Sequence, residues 1–375
     1  MSVTTPRIII SGGGTGGHVF PAIAIANALK ELAPTAEILF VGAKGRIEME
    51  KVPQAGYKIE ALWISGLQRR LTAENLLFPV KVLSSLWKSY GILRRFKPHV
   101  AVGVGGYASW AVLQAASAMG IPTLIQEQNS HPGITNRLLG KKADKICVVY
   151  DNLYRYFDAG KIVLTGNPVR ADIARLQGSK ETALRHFGLQ EGKKTLFITG
   201  GSLGARGINN GLLACLAQLM KDNNVQLLWQ TGKFYIDQIT KQVADYGNDI
   251  IPLAFIDRMD LAYIAADAIL SRAGGTVSEL CLVGKPVVLM PSPNVAEDHQ
   301  TANALNLTEK DAAIMVPDSE AAQKLLPALQ TVLFNEERRQ TLANNLKKMA
   351  KPDAALHIAR EVLALIPNNG NLQPA

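Results

Sequence analysis

Short apolar runs that are typical of buried strands alternate along the chain with segments of helical periodicity. The runs RIII, EILFVG, TLFIT and VQLLWQTG are separated by helical stretches such as PAIAIANALKEL and GINNGLLACLAQLM. Parallel strands need a crossover connection, so this alternation predicts parallel sheets that are covered by helices on both faces. The hydrophobic pattern therefore indicates an α/β fold.

The same pattern starts twice. An apolar strand, a glycine-rich turn and a helix follow one another at RIIISGGGTGGH, near residue 7, and again at TLFITGGSLGARG, near residue 195. Two starts predict two doubly wound domains in tandem, which we place at 1–168 and 169–352. The hinge is expected near Asn167–Arg170, because a residue before proline is disfavoured in a helix.

Length and composition agree with two folded domains. The chain has 375 residues, of which 47% are hydrophobic, and domains typically hold about 100–200 residues. A last amphipathic helix is predicted over Asp353–Ile366. Three widely spaced cysteines without a CxxC pair indicate neither a disulfide framework nor a zinc site.

The first residues, MSVTTPRIII, show no basic region followed by an apolar signal segment. A cytoplasmic location is therefore expected. The stretch from Val100 to Gln126 has no charged residue and is long enough for a membrane span. Glycine, proline and polar residues interrupt it, however, and favour a buried strand, loop, helix and strand over a span.

Positive charge is concentrated in the first half of the chain. Residues 1–169 carry 19 basic and 10 acidic residues, whereas 170–375 carry 21 of each. Between Arg69 and Lys97, seven basic residues and one acidic residue are interleaved with leucine, valine and tryptophan. Such a segment suits an anionic membrane surface or a nucleic acid. A solvated helix face is the simpler alternative.

Four glycine-rich loops follow predicted strands. They are Gly12–His18, Gly103–Ser109, Gly200–Gly207 and Ser271–Leu280. Backbone N–H groups and the helix dipole at such a turn attract a phosphate or a carboxylate. The first loop lacks the lysine of a P-loop, and no acidic residue stands where a dinucleotide ribose would need one.

Polar side chains in these loops give them different chemistry. His18 carries an imidazole, a group that titrates near neutral pH, although a helix-capping or packed histidine explains it equally well. Ser202 and Arg206 add a hydroxyl and a positive charge, which suits a diphosphate. Glu279 either stabilises a helix dipole or binds ribose hydroxyls. Together the loops predict a nucleotide diphosphate in an interdomain cleft.

Eight motifs carry a resemblance to a known family. They are GGGTGGHVFPAIAIA, GVGGYAS, QEQNSHPGITNRLL, GNPVR, GGSLGARGIN, FIDRM, SRAGGTVSEL and QTANAL, in this order between about Arg7 and Ile366. In these motifs the chain resembles the MurG family of bacterial peptidoglycan N-acetylglucosaminyltransferases. The resemblance implies a GT-B fold, in which two Rossmann-like doubly wound parallel-sheet domains face each other across a cleft. It also implies that the last helix, about 353–375, packs back on the first domain.

The resemblance also implies a reaction. The C4 hydroxyl of the muramoyl sugar of lipid I, an undecaprenyl-linked acceptor, attacks the anomeric carbon of UDP-N-acetylglucosamine. UDP leaves with inversion, and lipid II is formed. A positioned base is needed for the hydroxyl, and His18 is the candidate, with Glu127 as its rival. Neither a metal nor another cofactor is expected.

Matching positions carry implied binding roles. The resemblance assigns donor-sugar contacts to Thr15, Gly16, Gly17 and Asn129, nucleotide contacts to Arg170, Ser202, Ile256 and Glu279, a sugar-hydroxyl contact to Gln300, and the acceptor diphosphate to Gly103, Gly105, Gly106 and Tyr107. Two departures from the family pattern occur: GGTVSE replaces ALTVSE, and the loop before Gln300 differs in length from that of some members.

A lipid-linked acceptor implies peripheral binding at the cytoplasmic side of the cell membrane, through Arg69–Lys97. Other cell-wall enzymes are candidate partners, and nucleic acid is not expected because no RNP-type or helix-turn-helix pattern is present. Three alternatives stay open: a GT-B enzyme with another nucleotide sugar, a nucleotide-dependent oxidoreductase, and a nucleic-acid binder. The oxidoreductase would need an acidic ribose ligand about 20 residues past its glycine motif.

Overall fold

A computed structural model describes residues 5–65, 77–221, 224–295 and 298–367. The chain divides into two compact units. The N-terminal unit extends to Arg170 and includes the chain again from Pro352, and the C-terminal unit covers Ala171–Lys351. The sequence placed the boundaries near Asn167–Arg170 and at 352.

The N-terminal unit is built on a seven-stranded, fully parallel sheet. Its strands are β1 (Arg7–Ser11), β2 (Glu37–Ala43), β3 (Lys58–Leu62), β4 (Val100–Gly103), β5 (Thr123–Glu127), β6 (Lys145–Val148) and β7 (Ile162–Leu164). Their order across the sheet is β3-β2-β1-β4-β5-β6-β7. The order reverses direction beside β1, as in a doubly wound fold.

Helices cover both faces of this sheet. They are α1 (Gly16–Leu32), α2 (Glu48–Gln54), α3 (Phe78–Phe96), α4 (Tyr107–Ala118), α5 (Ile134–Gly140) and, after the second unit, α15 (Ala354–Ala364), with 3-10 turns at Asp151–Arg155 and Ala159–Lys161. Alternate residues of β1 serve opposite faces: Ile8 and Ile10 pack with α1 and α15, and Ile9 packs with α4. This is the period of two that a buried strand imposes.

The structure corrects one expectation from the sequence and agrees with another. Helix α1 begins at Gly16, and not after His18 as predicted, because the Thr15 carbonyl accepts hydrogen bonds from the N–H groups of His18 and Val19. His18 therefore lies in the first helical turn. The uncharged stretch from Val100 forms β4, α4 and β5, as its glycines and proline predict. Among the described residues, no helix has the length and apolarity that crossing a bilayer requires.

The C-terminal unit repeats the architecture with six parallel strands. They are β8 (Lys194–Thr199), β9 (Val225–Gln230), β10 (Ile250–Leu253), β11 (Ala268–Ser271), β12 (Val287–Leu289) and β13 (Ile314–Met315), in the order β10-β9-β8-β11-β12-β13. The helices are α6 (Ala171–Ala174), α7 (Lys180–Phe187), α8 (Arg206–Leu219), α9 (Ile236–Gln242), α10 (Met259–Ala265), α11 (Thr276–Val283), α12 (His299–Thr308), α13 (Ala321–Phe334) and α14 (Glu336–Lys348), with 3-10 turns at Ala244–Asp249 and Asp318–Glu320.

The second sheet is also buried on both faces. Leu196 and Ile198 of β8 pack with α8 and α13. Phe197, between them, makes an edge contact with the Tyr263 ring of α10, with ring centroids 5.6 Å apart. In each unit the strand order reverses beside the first strand, so the loops after β1 and β4, and after β8 and β11, open at the carboxyl edge of their sheets. This is where ligands bind in doubly wound folds.

Candidate active site

The first two glycine loops are joined to each other in the N-terminal unit. The N–H of Gly13 donates to the carbonyl oxygen of Gly105 at 3.3 Å. Gly106 has a φ of +89°, and a Cβ there would lie 2.6 Å from the Gly13 oxygen. Only glycine permits both that backbone conformation and that close approach. The loops after β1 and β4 therefore form one surface.

His18 lies at this junction of loops. Its Nδ1 is 3.1 Å from the Gly13 carbonyl oxygen and 3.3 Å from Thr15 Oγ1. A carbonyl oxygen only accepts hydrogen bonds, so Nδ1 carries the hydrogen and, in the neutral ring, Nε2 keeps the basic lone pair. A Cβ on Gly105 would lie 2.7 Å from that Nε2. The ring is thus oriented by the first loop and lies against the second.

Two helices begin beside His18. Helix α1 begins at Gly16 and α4 at Tyr107, and neither has an acidic residue in its first turn. The helix dipole and the N–H groups at a helix start favour an anion. Thr15 and Gly17 are exposed there, and Tyr107 is 47% exposed.

Glu127 ends β5, which neighbours β4 in the sheet, and its carboxylate is buried. Oε1 accepts from the N–H and Nδ2 of Asn129, and Oε2 accepts from the N–H of Gly133 and from Nδ2 of Asn136, at 2.9–3.2 Å. Burial raises the pKa of Glu127, and these four hydrogen bonds act in the opposite direction. Both oxygens are engaged with the chain that follows β5, so Glu127 organises that turn and with it Asn129.

Arg170 closes the N-terminal unit. Its guanidinium carbon lies 5.8 Å from the ring centroid of Phe20, two residues after His18 on α1. Among the residues assigned to the nucleotide, it is therefore the one that lies in the same unit as the candidate base.

The third glycine loop packs closely against the backbone that follows β9 in the C-terminal unit. A Cβ on Gly204 would overlap the Thr231 carbonyl, and Gly204 has a φ of +75°. Buried Gln230, the last residue of β9, donates from Nε2 to the Gly201 carbonyl oxygen at 2.9 Å. Ser202 is left exposed beyond this anchored backbone, just before α8. The first turn of α8 has no acidic residue.

Gln230 also fixes Ile256. Its Oε1 accepts the Ile256 N–H at 2.9 Å, and Ile256 is buried. Because this N–H is engaged, a backbone contact from Ile256 to a base would have to come through its carbonyl oxygen.

Glu279 and Gln300 lie near the ends of β11 and β12. Glu279, in the first turn of α11, accepts a hydrogen bond from the Tyr263 hydroxyl at 2.7 Å. Gln300 Oε1 accepts from the N–H of Ser292 at 2.8 Å, which directs its Nε2 towards Gly274. Asn303, one helical turn later, donates to the Ala273 carbonyl oxygen at 3.0 Å. Helix α12 thus supports the fourth glycine loop. In the loop before it, residues 296–297 lie outside the described residues.

Three polar residues that support these loops were missed by the sequence analysis: Glu48, Gln230 and Tyr263. Glu48 is fully buried, although a glutamate in EMEK suggests a solvated helix face. Its spacing of four from Val52, which is buried on the same face of α2, is the signal that could have placed it inside. No group of three metal-ligating side chains is found among the described residues.

Comparison with protein families defines the class. The description "Glycosyltransferase family 28 N-terminal domain" matches residues 8–148, and "Glycosyltransferase family 28 C-terminal domain" matches residues 195–358. The protein is thus a glycosyltransferase of two parallel-sheet α/β domains, and the predicted GT-B class is confirmed.

Individual relatives narrow this class. A Bacteroides fragilis protein named "UDP-N-acetylglucosamine--N-acetylmuramyl-(pentapeptide) pyrophosphoryl-undecaprenol N-acetylglucosamine transferase" is 53% identical over 96% of this chain and 95% of its own. A Cytophaga hutchinsonii protein of the same name is 53% identical over 96% and 97%. The crystal structure of Acinetobacter baumannii MurG, at 28% identity, matches with a TM-score of 0.76 over 96% of this chain and 99% of that one. The chain belongs to this transferase family, and the resemblance noted in its sequence is confirmed.

Proposed function

We propose that the protein transfers N-acetylglucosamine from UDP-N-acetylglucosamine to the muramoyl sugar of an undecaprenyl-pyrophosphoryl acceptor, as the name of its relatives describes. One observation on this chain supports the proposal most directly. A histidine in the first turn of α1, with Nδ1 held by a carbonyl oxygen, presents a basic Nε2 beside two helix N-termini. This arrangement combines a base with a place for an anion.

The proposed step is a single displacement. The acceptor's C4 oxygen forms a bond to the anomeric carbon while the bond from that carbon to the diphosphate oxygen breaks, and UDP leaves with the electron pair. The hydroxyl proton passes to Nε2 of His18. Because Nδ1–H donates to the Gly13 carbonyl, the imidazolium that forms keeps a hydrogen bond that stabilises it.

The C-terminal unit is proposed to hold the donor. The exposed Ser202 and the start of α8 would meet the diphosphate, whose charge grows as the bond breaks. Glu279, oriented by Tyr263, would accept from the ribose hydroxyls. The Ile256 carbonyl would accept from uracil N3–H, and the Nε2 of Gln300 would donate to a sugar hydroxyl.

The N-terminal unit is proposed to hold the acceptor. The loop Gly103–Tyr107 and the start of α4 would bind its diphosphate through backbone N–H groups. Thr15, Gly16, Gly17 and Asn129 would contact the sugar that is transferred, and Arg170 the nucleotide. Glu127 acts here by holding the turn that carries Asn129, which favours His18 over it as the base. That donor and acceptor meet in one cleft stays a prediction.

Replacing His18 by alanine tests the proposal. We expect kcat to fall by about 100- to 10,000-fold, the usual contribution of a positioned base, while the Kd for UDP, measured by calorimetry, changes less than about twofold, because the groups proposed to bind UDP, apart from Arg170, lie in the other unit. His357→Ala, at an exposed position on α15, is the matched control. Equal losses of kcat and UDP affinity would show that His18 does not act as the base.

A membrane face is proposed on α3. Val80, Leu83 and Trp87 are 53%, 68% and 83% exposed, and their spacing of three and four residues places them on one side of the helix. Lys81 and Lys88 lie on the same helix. Exposed apolar residues among lysines favour the interface of an anionic bilayer. Arg69, Arg70 and the rest of 66–76 lie outside the described residues.

Sedimentation with vesicles tests this surface. The double variant Leu83→Glu, Trp87→Glu should lose binding to vesicles of phosphatidylglycerol and phosphatidylcholine, because it places carboxylates where the apolar side chains would enter the interface. Phe234→Glu, at a residue 71% exposed in the C-terminal unit, should bind as the wild type does. Unchanged sedimentation of the double variant would exclude α3 as the membrane face.

A further inference from the structure

Glu48 is a buried acidic residue that the catalytic proposal does not use. It begins α2, and its exposed fraction is 0%. Among the described residues, no lysine, arginine or histidine forms an ion pair with it. A carboxyl group is costly to bury unless hydrogen bonds satisfy it. Its partners therefore show what its burial achieves.

Both partners of Glu48 are backbone N–H groups. Oε1 accepts from the N–H of Ala43, at the end of β2, at 2.9 Å. Oε2 accepts from the N–H of Gly14, in the loop after β1, at 2.9 Å. The two oxygens thus join the first glycine loop to the neighbouring strand, and each N–H requires an acceptor.

The backbone around this carboxylate approaches it closely at two glycines. A Cβ on Gly42 would lie 2.5 Å from Glu48 Cγ, and a Cβ on Gly13 would overlap the carboxylate. Gly14 has a φ of +88°, a conformation that glycine adopts at little cost. Gly13 and Gly42 thus fit closely against the Glu48 side chain, and Gly14 donates its N–H to it, so the position of the loop depends on where that side chain lies.

The position of the first glycine loop determines the orientation of the His18 ring. Gly13, next to the residue that Glu48 holds, provides the carbonyl oxygen that orients the Nδ1 of His18 at 3.1 Å. We propose that Glu48 is a positioning residue of the transfer reaction, which fixes the first glycine loop so that the imidazole of His18 points its Nε2 at the acceptor hydroxyl. This inference rests on the proposed role of His18 as the base.

Glu48→Gln is the most informative substitution. Glutamine has almost the same shape, but it offers one acceptor oxygen where glutamate offers two, so its NH2 group would face either the Gly14 or the Ala43 N–H. The loop would then shift away from the amide. A shift of about 1 Å in a reacting group can lower the rate by about 100-fold.

The matched control is Glu50→Gln, which removes the same charge from the same helix. The Glu50 side chain is 66% exposed, and it pairs with Lys51. Both variants would be compared with the wild type as full-length protein for kcat with saturating UDP-N-acetylglucosamine and lipid acceptor, for Kd of UDP, and for thermal unfolding. We expect Glu48→Gln to lower kcat by about 10- to 100-fold with an unchanged Kd for UDP, and Glu50→Gln to match the wild type.

A double-mutant cycle separates positioning from general support of the fold. If Glu48 acts through His18, Glu48→Gln should change kcat less than about twofold in a His18→Ala background, because interacting sites are not additive. An equal loss in both backgrounds, or a kcat equal to that of Glu50→Gln, would overturn the inference.

Gly42→Ala provides a second variant if Glu48→Gln does not fold. It keeps the carboxylate but displaces its Cγ, so it should reproduce the loss of kcat with an unchanged Kd for UDP, and a normal kcat would overturn the inference. If the wild-type protein transfers no sugar to the lipid acceptor, the proposed function itself fails, which is a different result from either of these.

Discussion

Gly105→Ala tests the contact between the second glycine loop and the candidate base. Gly105 has a φ of +100°, and a Cβ there would lie 2.6 Å from His18 Cδ2 and 2.7 Å from Nε2. The substitution thus adds a single methyl group next to the His18 ring. Gly120→Ala is the matched control, because Gly120 has a φ of +70° with nothing within 4 Å of the added Cβ.

The size of the effect follows from these distances. A positive φ costs an alanine about 1–2 kcal/mol, and both variants share that loss of stability. Carbon atoms rest at about 3.5–4.0 Å from each other, so the His18 ring must withdraw from the alanine at position 105 by about 1 Å. A displacement of this size can cost about 100-fold in rate, or about 2.7 kcal/mol in the activation free energy.

The assay is the transfer of labelled N-acetylglucosamine to a lipid acceptor at saturating substrates, with urea unfolding of each variant. We expect kcat of Gly105→Ala to be about 100-fold lower, and kcat of Gly120→Ala to lie within twofold of the wild type. In a His18→Ala background the effect of Gly105→Ala should almost disappear, because no ring is left to displace. Equal kcat values for the two glycine variants would refute the proposed dependence on the His18 position.

Three further predictions concern other parts of the molecule. Glu279→Ala should weaken UDP binding by about 10-fold or more, as expected for loss of a charged hydrogen bond. Tyr263→Phe should weaken it less, since it removes only the hydroxyl that orients the carboxylate. An unchanged Kd for UDP in calorimetry of Glu279→Ala would exclude the ribose role. Burial raises the pKa of Glu127, so its contribution to stability is complete below its ordinary pKa of about 4.3 and is lost as pH rises through the raised value. The free energy of unfolding of the wild type minus that of Glu127→Gln should therefore fall as pH rises, and a difference that grows in a urea series would contradict this. Arg272→Met should lower the free energy of unfolding by roughly 3 kcal/mol, because it leaves Asp318, its partner in a mostly buried ion pair, without a counter-charge; a change below 1 kcal/mol would show that the pair contributes little.

Much of the fold could be predicted because its signals are local. A strand such as Ile8–Ile10 needs only consecutive apolar residues, and the two doubly wound sheets follow from the two starts of the pattern. Glycine loops after strands can also be recognised in the sequence. Gly105 and Gly106 have a positive φ, a conformation that favours glycine over other residues.

The buried polar residues could not be predicted in the same way. Glu48 meets Gly14 across 34 positions of sequence, and Gln230 meets Ile256 across 26. Their partners are backbone N–H groups, which every residue except proline has, so the residue type does not indicate the partner. Charged side chains are also seldom buried, which makes a buried glutamate hard to predict. The start of α1 was missed for a related reason. Three successive residues, Gly16 to His18, have little helical propensity, and the helix starts there because the Thr15 carbonyl accepts the first N–H groups.

Helix α15 belongs to the N-terminal unit although nearly the whole chain separates it from β1. Its Ile358 and Val362 pack with Ile25 and Leu29 of α1, and Glu361 lies 3.6 Å from Lys145 at the start of β6. A ribosome adds about 5–20 residues per second, so the first 170 residues would wait about 10 to 40 seconds in an incomplete state, with an apolar stripe uncovered, before their last helix is made. The C-terminal unit is continuous in sequence, whereas the first-made unit cannot complete its packing until almost the whole chain has been made.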